Sequence, residues 1–200
     1  MKLILGLTGA YCSGKNTVDR ILETRGWYCI DVDKLGHEAL KRAASPVRDI
    51  LGGDALKEDG TPDRRAIAGK VFGNPEALAR YEAIVHPIML SLLDEAIERS
   101  PRDLVCVNAA ILYRLPKAIR THGILEVTSP LFLRLLRGIR RDRQPLCIIL
   151  KKISAQRKLF ANKPQGIPIA RVANCSLPPQ LERKVRSEEH TSELQSRQVI

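Results

Sequence analysis

Long apolar runs, aromatic residues, acidic residues and regularly spaced cysteines are all scarce in this 200-residue sequence, and each shortage excludes something. No stretch approaches the roughly 18–20 consecutive apolar residues that span a bilayer, so neither a transmembrane helix nor a membrane partner is expected. The apolar start from Met1 to Leu7 is short for a secretory signal, and Tyr11 is a poor residue to precede a processed Cys12. The five cysteines, at positions 12, 29, 106, 147 and 175, are odd in number, widely spaced and free of any Cys-x-x-Cys pair. That pattern suggests neither a disulfide framework nor a zinc site, and it fits a reducing cytoplasm. Aromatic residues amount to 4%, which leaves few rings for stacking on nucleic-acid bases. The 22 acids face 33 Lys and Arg, so the net charge is +11 and an anionic partner is expected.

The length suits one compact domain with insertions. Lys2–Thr8 is a short Leu/Ile-rich run of the kind buried on both faces of a parallel sheet. Glycines follow, and from Lys15 to Arg25 the residues Val18, Ile21 and Leu22 recur at helical spacing, with Gly26 as a stop. Trp27–Val32 returns to strand composition, completing a strand–turn–helix–strand unit. From Lys34 to about Ser100 the patterning is helical, broken by turn signals at Ser45-Pro46, Gly52-Gly53, Asp59–Pro62 and Gly73-Asn74-Pro75. Further strands are expected at Leu104–Val107, Ile124–Thr128 and Ile169–Ala173. Helices are expected at Leu131–Arg141 and Leu177–Val185, and a basic, Pro-interrupted segment runs to Pro168. Alternating strands and helices imply an α/β fold with a doubly wound parallel sheet.

Gly9-Ala10-Tyr11-Cys12-Ser13-Gly14-Lys15-Asn16-Thr17 has the pattern GxxxxGK between a buried strand and a helix. In such a loop the backbone N–H groups and the helix N-terminus cradle a polyphosphate, and Lys15 reaches the β- and γ-phosphates. Asn16 stands where Ser or Thr usually offers a hydroxyl to Mg²⁺, and its amide oxygen is a hard donor that can serve the same ion. Asp31 and Asp33, two apart after the second strand, share one face if the chain stays extended. A carboxylate outside the carboxyl ends of the strands is placed to take a proton from an attacking hydroxyl or to organise Mg²⁺. In the competing reading one of the two acids simply caps a helix.

These residues carry a family resemblance. Gly6-Leu7-Thr8-Gly9 with Ser13-Gly14-Lys15 and Thr17-Val18, then Ile30–Asp33, resemble the phosphate loop and aspartate pair of the dephospho-coenzyme A kinases. So do Asp59-Gly60-Thr61 with Asp63-Arg64, Val71-Phe72, Glu82–Pro87 with its His-Pro close, Lys152–Gln156, and Val172-Ala173-Asn174. The resemblance implies a P-loop NTPase-type kinase domain over 1–185, with a core of 1–33, 101–133 and 169–185. It also implies a helical coenzyme A-binding insertion over 34–100 and a lid over 134–168. The implied reaction is ATP-dependent phosphorylation of the ribose 3′-hydroxyl of dephospho-coenzyme A, with Mg²⁺, the last step of coenzyme A synthesis. Lys15, Asp33, Arg137 and Arg141 are the implied catalytic residues, Gly9–Thr17 the ATP loop, Asp33, Arg64 and His86 the substrate contacts, and Asn16 the candidate Mg²⁺ ligand. Two departures leave that ion with fewer anionic partners. Ala110-Ile111-Leu112-Tyr113-Arg114 stands where the family usually shows Pro-Leu-Leu-aromatic-Glu, and Asn108 ends the third strand without an acid.

Between Arg134 and Lys163 lie ten Lys or Arg against one acid, Asp142, so the lid segment alone carries +9. Arginines closing over a transferring phosphoryl group stabilise its spread charge and exclude water. Three rival readings stand beside this one: a P-loop kinase of another small molecule such as a nucleoside monophosphate, a catalytically weakened relative, and a nucleic-acid binder. Against the last, the segment holds a single aromatic, Phe160. Residues 186–196 match, residue for residue, the translation of a common sequencing-library adapter. The tail 186–200 is therefore expected to be non-native, which leaves +12 on the rest.

Overall fold

The computed structural model describes residues 2–115, 121–157, 160, 163–175 and 180–188. Five strands, β1 (Leu3–Gly9), β2 (Tyr28–Asp31), β3 (Leu104–Asn108), β4 (Gly123–Thr128) and β5 (Ile169–Ala173), form one sheet in the order β2-β3-β1-β4-β5. β1 runs parallel to both of its neighbours, with Leu5 opposite Cys106 on β3 and Leu7 opposite Leu125 on β4. The strands are near-continuous apolar runs because helices cover a parallel sheet on both faces. This is the α/β fold expected of a P-loop NTPase.

The chain divides into two compact units, Asp31–Arg99 and the remainder. In the sheet-bearing unit, α1 (Lys15–Thr24) buries Val18 and Leu22 beside Leu5, Leu7, Trp27, Leu125 and Val172. Gly26, at φ +93°, turns the chain out of α1, a conformation that glycine adopts without a Cβ penalty. Trp27 is the largest fully buried side chain, 2% exposed. Trp27→Ala is expected to destabilise the protein by about 3–5 kcal/mol, read as a fall in the urea midpoint at unchanged m-value.

Two expectations about this unit are revised. The basic segment read as Pro-interrupted is largely helical: α6 (Leu131–Asp142) is followed by α7 (Leu146–Arg157). Pro145 does not break α7 but precedes its first residue, where its carbonyl accepts from Ile148 and Ile149 N–H. The last helix covers 180–188, so it runs three residues past Val185, and Leu181 and Val185 are buried in the core. The rest of the suspect tail, 189–200, lies outside the described residues, as do 176–179, the start of the expected helix.

The unit Asp31–Arg99 is helical, with α2 (Val32–Arg42), α3 (Ala44–Leu51), α4 (Arg64–Val71) and α5 (Pro75–Glu98). α2, α3 and α4 each pack against α5, whose Val85, Met89, Leu92, Leu93 and Ile97 are buried. Asn74 accepts from Ala77 N–H at 3.1 Å and Pro75 takes the first helical position, so the turn signal at 73–75 becomes a helix start. His86-Pro87, expected to close a helix, lies within α5 instead. An internal proline costs about 3 kcal/mol, and burial of Val85 and Met89 on either side offsets it. Ser45-Pro46 likewise falls in the first turn of α3, where proline is tolerated.

Candidate active site

The carboxyl end of β1 runs into the loop Gly9–Thr17, and three local features shape it. Cys12 adopts φ +57° and Gly14 φ +91°, so the backbone reverses twice within three residues. Ser13 N–H donates to Ala10 O at 2.9 Å, closing the first turn. Space at Gly9 is filled by Ser13 Oγ of the loop itself and by β4, and space at Gly14 from outside the loop. A Cβ on Gly9 would lie 2.8 Å from Val127 O, and one on Gly14 would lie 1.9 Å from Asn174 Nδ2.

The rest of the unit holds this loop from its outer side. Asn174, buried just after β5, donates from Nδ2 to Ser13 O at 3.0 Å, and its own N–H donates to Thr128 O at 2.8 Å. Arg137 of α6 donates to Ser13 O at 3.2 Å, Ser129 Oγ at 3.1 Å and Asn174 O at 3.1 Å. Arg134, one turn earlier, donates to Tyr11 O at 2.8 Å. Carbonyls are thereby taken up outside the loop; the Ser13 and Tyr11 N–H groups are engaged within the unit, and the uncapped N-terminus of α1 is what the loop offers an anion. Arg137→Lys removes the fork that reaches four acceptors at once, Cys12 O at 3.4 Å being the fourth, and it is expected to weaken ATP binding roughly tenfold, measured by calorimetry.

Tyr11 connects the loop to both basic helices. Its hydroxyl donates to Asp142, the last residue of α6, and its N–H donates to Gln156 Oε1 of α7. The Arg141 guanidinium lies 5.1 Å from the Tyr11 ring centre and Lys152 Nζ 5.4 Å, both in cation–π range. Arg141 Nε also donates to Asp142 at 2.7 Å, and Lys152 Nζ to the same carboxylate at 3.3 Å. The guanidinium and the phenol hold the Asp142 carboxyl well below the usual carboxylate range. Burial, and then Asp142, pushes the Tyr11 phenol up to about 12. Next to this cluster a cavity of about 500 Å³ opens, lined by Ala10, Leu131, Arg134, Leu150, Ile153 and Gln156.

The loop fits a nucleotide polyphosphate. No side chain caps the N-terminus of α1, and the buried Ser13 Oγ has no hydrogen-bond partner. For Mg²⁺ the two positions that usually hold it are neutral: Asn16 is exposed in the first turn of α1, and β3 ends at a buried Asn108 in place of an acid. A cation that keeps most of its waters and binds chiefly through substrate phosphates fits such a set.

Lys15, Asn16 and Thr17 form the first turn of α1, and Arg137 and Arg141 join Gly9–Thr17 within one unit. The remaining expected residues lie in the helical unit. Asp31 and Asp33 do not share an extended face, because the helix starts at Val32. Asp31 caps it, accepting from Asp33 N–H at 3.0 Å and Lys34 N–H at 3.3 Å. An aspartate is a strong N-cap and an acid in the first turn suits the helix dipole, so helix formation wins over extension here. Asp33 is thus the exposed acid of that turn. Arg64 opens α4 close enough to Tyr81 of α5 for its charge to act on the phenol, and His86 is half-buried five residues further along α5.

Four contributors had no site role in the sequence reading. Asn174 was visible only as the end of a strand motif, and Ser129 carried no signal. Asp142 was legible as the lone acid among ten bases. Glu126, buried on β4, accepts from Tyr113 at 2.7 Å and from Lys163, which ties the end of the basic segment to the sheet. Burial alone would raise the Glu126 carboxyl, but Lys163 and Tyr113 outweigh it and hold it below its ordinary value.

Comparison with known proteins supplies the family context. The family model of dephospho-CoA kinase matches residues 3–163. A dephospho-CoA kinase of Treponema denticola is 32% identical over 169 residues, covering 80% of this chain and 76% of that protein. The solved structure of TT1252 from Thermus thermophilus superposes with a TM-score of 0.81 at 28% identity, covering 95% of this chain and 97% of that one. A dephospho-CoA kinase from Campylobacter jejuni, at 19% identity and TM-score 0.57, shares the fold over 96% of this chain and 97% of its own. Among the described residues no helix is long and apolar enough to cross a membrane.

Proposed function

The chain belongs to the dephospho-CoA kinase family, and we propose that it performs the family's reaction with Lys15, Asp33, Arg137 and Arg141 as its working residues. It phosphorylates dephospho-CoA with ATP as donor, the last step of coenzyme A synthesis. The observation that carries the site assignment is the Gly9–Thr17 loop, whose carbonyls are bound from behind by Asn174 and Arg137 while the α1 N-terminus stays uncapped.

The loop N–H groups and Lys15 receive the β- and γ-phosphates, positioning the γ-phosphorus for in-line attack. Asp33 accepts the proton of the ribose 3′-hydroxyl as that oxygen bonds to phosphorus and the bond to the β-phosphate oxygen breaks, releasing ADP. Arg137 keeps the loop in shape. Arg141 exchanges Asp142 for the transferring phosphoryl group, whose equatorial oxygens carry more negative charge. Asn16 Oδ1 is the protein oxygen that would hold Mg²⁺, which would supply neutralisation of phosphate charge. The helical unit, residues 34–100 in outline, is the dephospho-CoA-binding insertion, with Arg64 and His86 as acceptor contacts. Residues 134–168, built on α6 and α7, form the lid. A reducing cytoplasm suits its five widely spaced cysteines.

A coupled ADP assay with dephospho-CoA and Mg²⁺ tests the reading. ADP release that depends on dephospho-CoA is expected. Phosphorylation of a nucleoside monophosphate but not of dephospho-CoA would instead assign another small-molecule kinase. ATP binding without turnover would identify a weakened relative, the second reading that Asn16, Asn108 and Arg114 favour.

A further inference from the structure

Between α1 and the strands β2 and β3, the fold gathers three side chains that the sequence scatters over almost ninety positions. Asp19 lies on α1, Cys29 on the edge strand β2, and Cys106 on β3 beside it. Both sulfurs and one carboxylate oxygen lie within 4.8 Å of one another. We propose that Asp19, Cys29 and Cys106 form a site for one thiophilic divalent cation, zinc by choice, which bolts α1 to β2 and β3.

The donor set selects the ion. Two thiolates and a carboxylate favour Zn²⁺ over Mg²⁺ or Ca²⁺, and three protein ligands with a water complete a tetrahedron. A Zn–S bond of about 2.3 Å puts two sulfurs of a tetrahedral site about 3.8 Å apart, so the donors need to close by about 1 Å at most. Two unsatisfied polar atoms mark the same place. Asp19 Oδ1 is buried without a hydrogen-bond partner, and so is Oδ1 of Asn108, a residue 3% exposed whose side chain meets the Asp19 carboxylate. Asn108 is thus placed to orient the oxygen ligand from behind. Cys29 Sγ meanwhile donates to the Asp19 backbone carbonyl at 3.6 Å, which holds the thiol beside the cluster.

Binding is ligand exchange without redox change. Zn²⁺ forms two Zn–S bonds and one Zn–O bond, and the two thiol protons pass to solvent. With Asp19 ionised, the cluster carries one negative charge both before and after. Lys15, whose charge reaches both Asp19 and Cys106, therefore feels no net change. The consequence is mechanical: the helix that begins at the phosphate loop becomes fastened to the sheet edge. Two facing thiols can also oxidise to a disulfide, but that product makes no use of Asp19, so substituting Asp19 separates the two chemistries.

The test uses the full chain under a phosphine reductant, titrated with Cd²⁺ as a spectroscopic stand-in while thiolate-to-metal charge transfer is followed in the ultraviolet. Thermal unfolding is then recorded with and without Zn²⁺. One ion per chain is expected, with Tm raised by several degrees in Zn²⁺. Asp19→Asn is expected to weaken Cd²⁺ binding tenfold or more and to abolish the rise in Tm. Cys29→Ser, at a half-exposed edge position, removes most of the band without emptying the buried Cys106 position. The proposal is overturned if no saturable one-to-one band forms, if Asp19→Asn binds Cd²⁺ as tightly as the parent, or if the band survives Cys29→Ser. It is equally overturned if the pair takes up no metal under reductant yet loses two thiols to a Cys29–Cys106 disulfide once the reductant is removed.

Discussion

Asp33→Asn is expected to lower kcat by about 10²–10⁴ while leaving ATP affinity within twofold of the parent. The substitution keeps the size of the side chain and its capacity to accept a hydrogen bond, and removes only its ability to hold a proton. Stability should change little, because the α2 cap belongs to Asp31 and Asp33 is exposed in the turn that Asp31 fixes. An exposed acid in a first helical turn contributes about 0.3–1 kcal/mol through the dipole, which bounds the loss. The pairing of kcat from the ADP assay with ATP affinity from calorimetry is decisive. A kcat within threefold of the parent would remove Asp33 from the chemistry.

Gly14→Ala is expected to reduce ATP binding by two orders of magnitude or more, with a stability loss of about 1–3 kcal/mol. Two causes act together. At φ +91° an L side chain is strained, and the new methyl would sit 1.9 Å from Asn174 Nδ2, displacing the amide that holds Ser13 O. Gly26→Ala separates the causes. Gly26 has nearly the same φ, +93°, but nothing within 4 Å of an added Cβ, so it should show the conformational cost with ATP binding intact. Equal losses of ATP affinity in the two variants would mean that Asn174 plays no part in shaping the loop.

The phosphate loop and the strands were legible because their signals are local. A strand covered on both faces reads as an unbroken apolar run, and GxxxxGK between strand and helix leaves one backbone solution. What stayed hidden depends on residues distant in sequence or on a contest between local preferences. Asn174 reaches Ser13 across 161 positions, and no window of sequence contains both. Asp31-Val32-Asp33 could extend or cap, and the two backbone N–H groups that Asp31 satisfies tip the balance toward helix. Pro87 reads as a break, yet the buried stripe on either side of it keeps α5 continuous. In α7 the apolar run Leu146–Leu150 beside clustered bases concealed a helix.

The position of β1 at the middle of the sheet bears on synthesis as well as on the finished enzyme. Its partners begin only at Leu104 and Gly123, so a strand made first must wait for nearly a hundred further residues before either edge can be covered. At about 5–20 residues per second that wait lasts on the order of 5–20 s, with Leu3, Ile4, Leu5 and Leu7 unpaired throughout. The Asp31–Arg99 helices, rich in local contacts, have time to form in the interval, since helical units of low contact order fold within milliseconds. A nascent chain stalled before Leu104 should therefore carry a folded helical unit flanked by a sticky, unpaired strand. That strand is the segment a chaperone would have reason to cover.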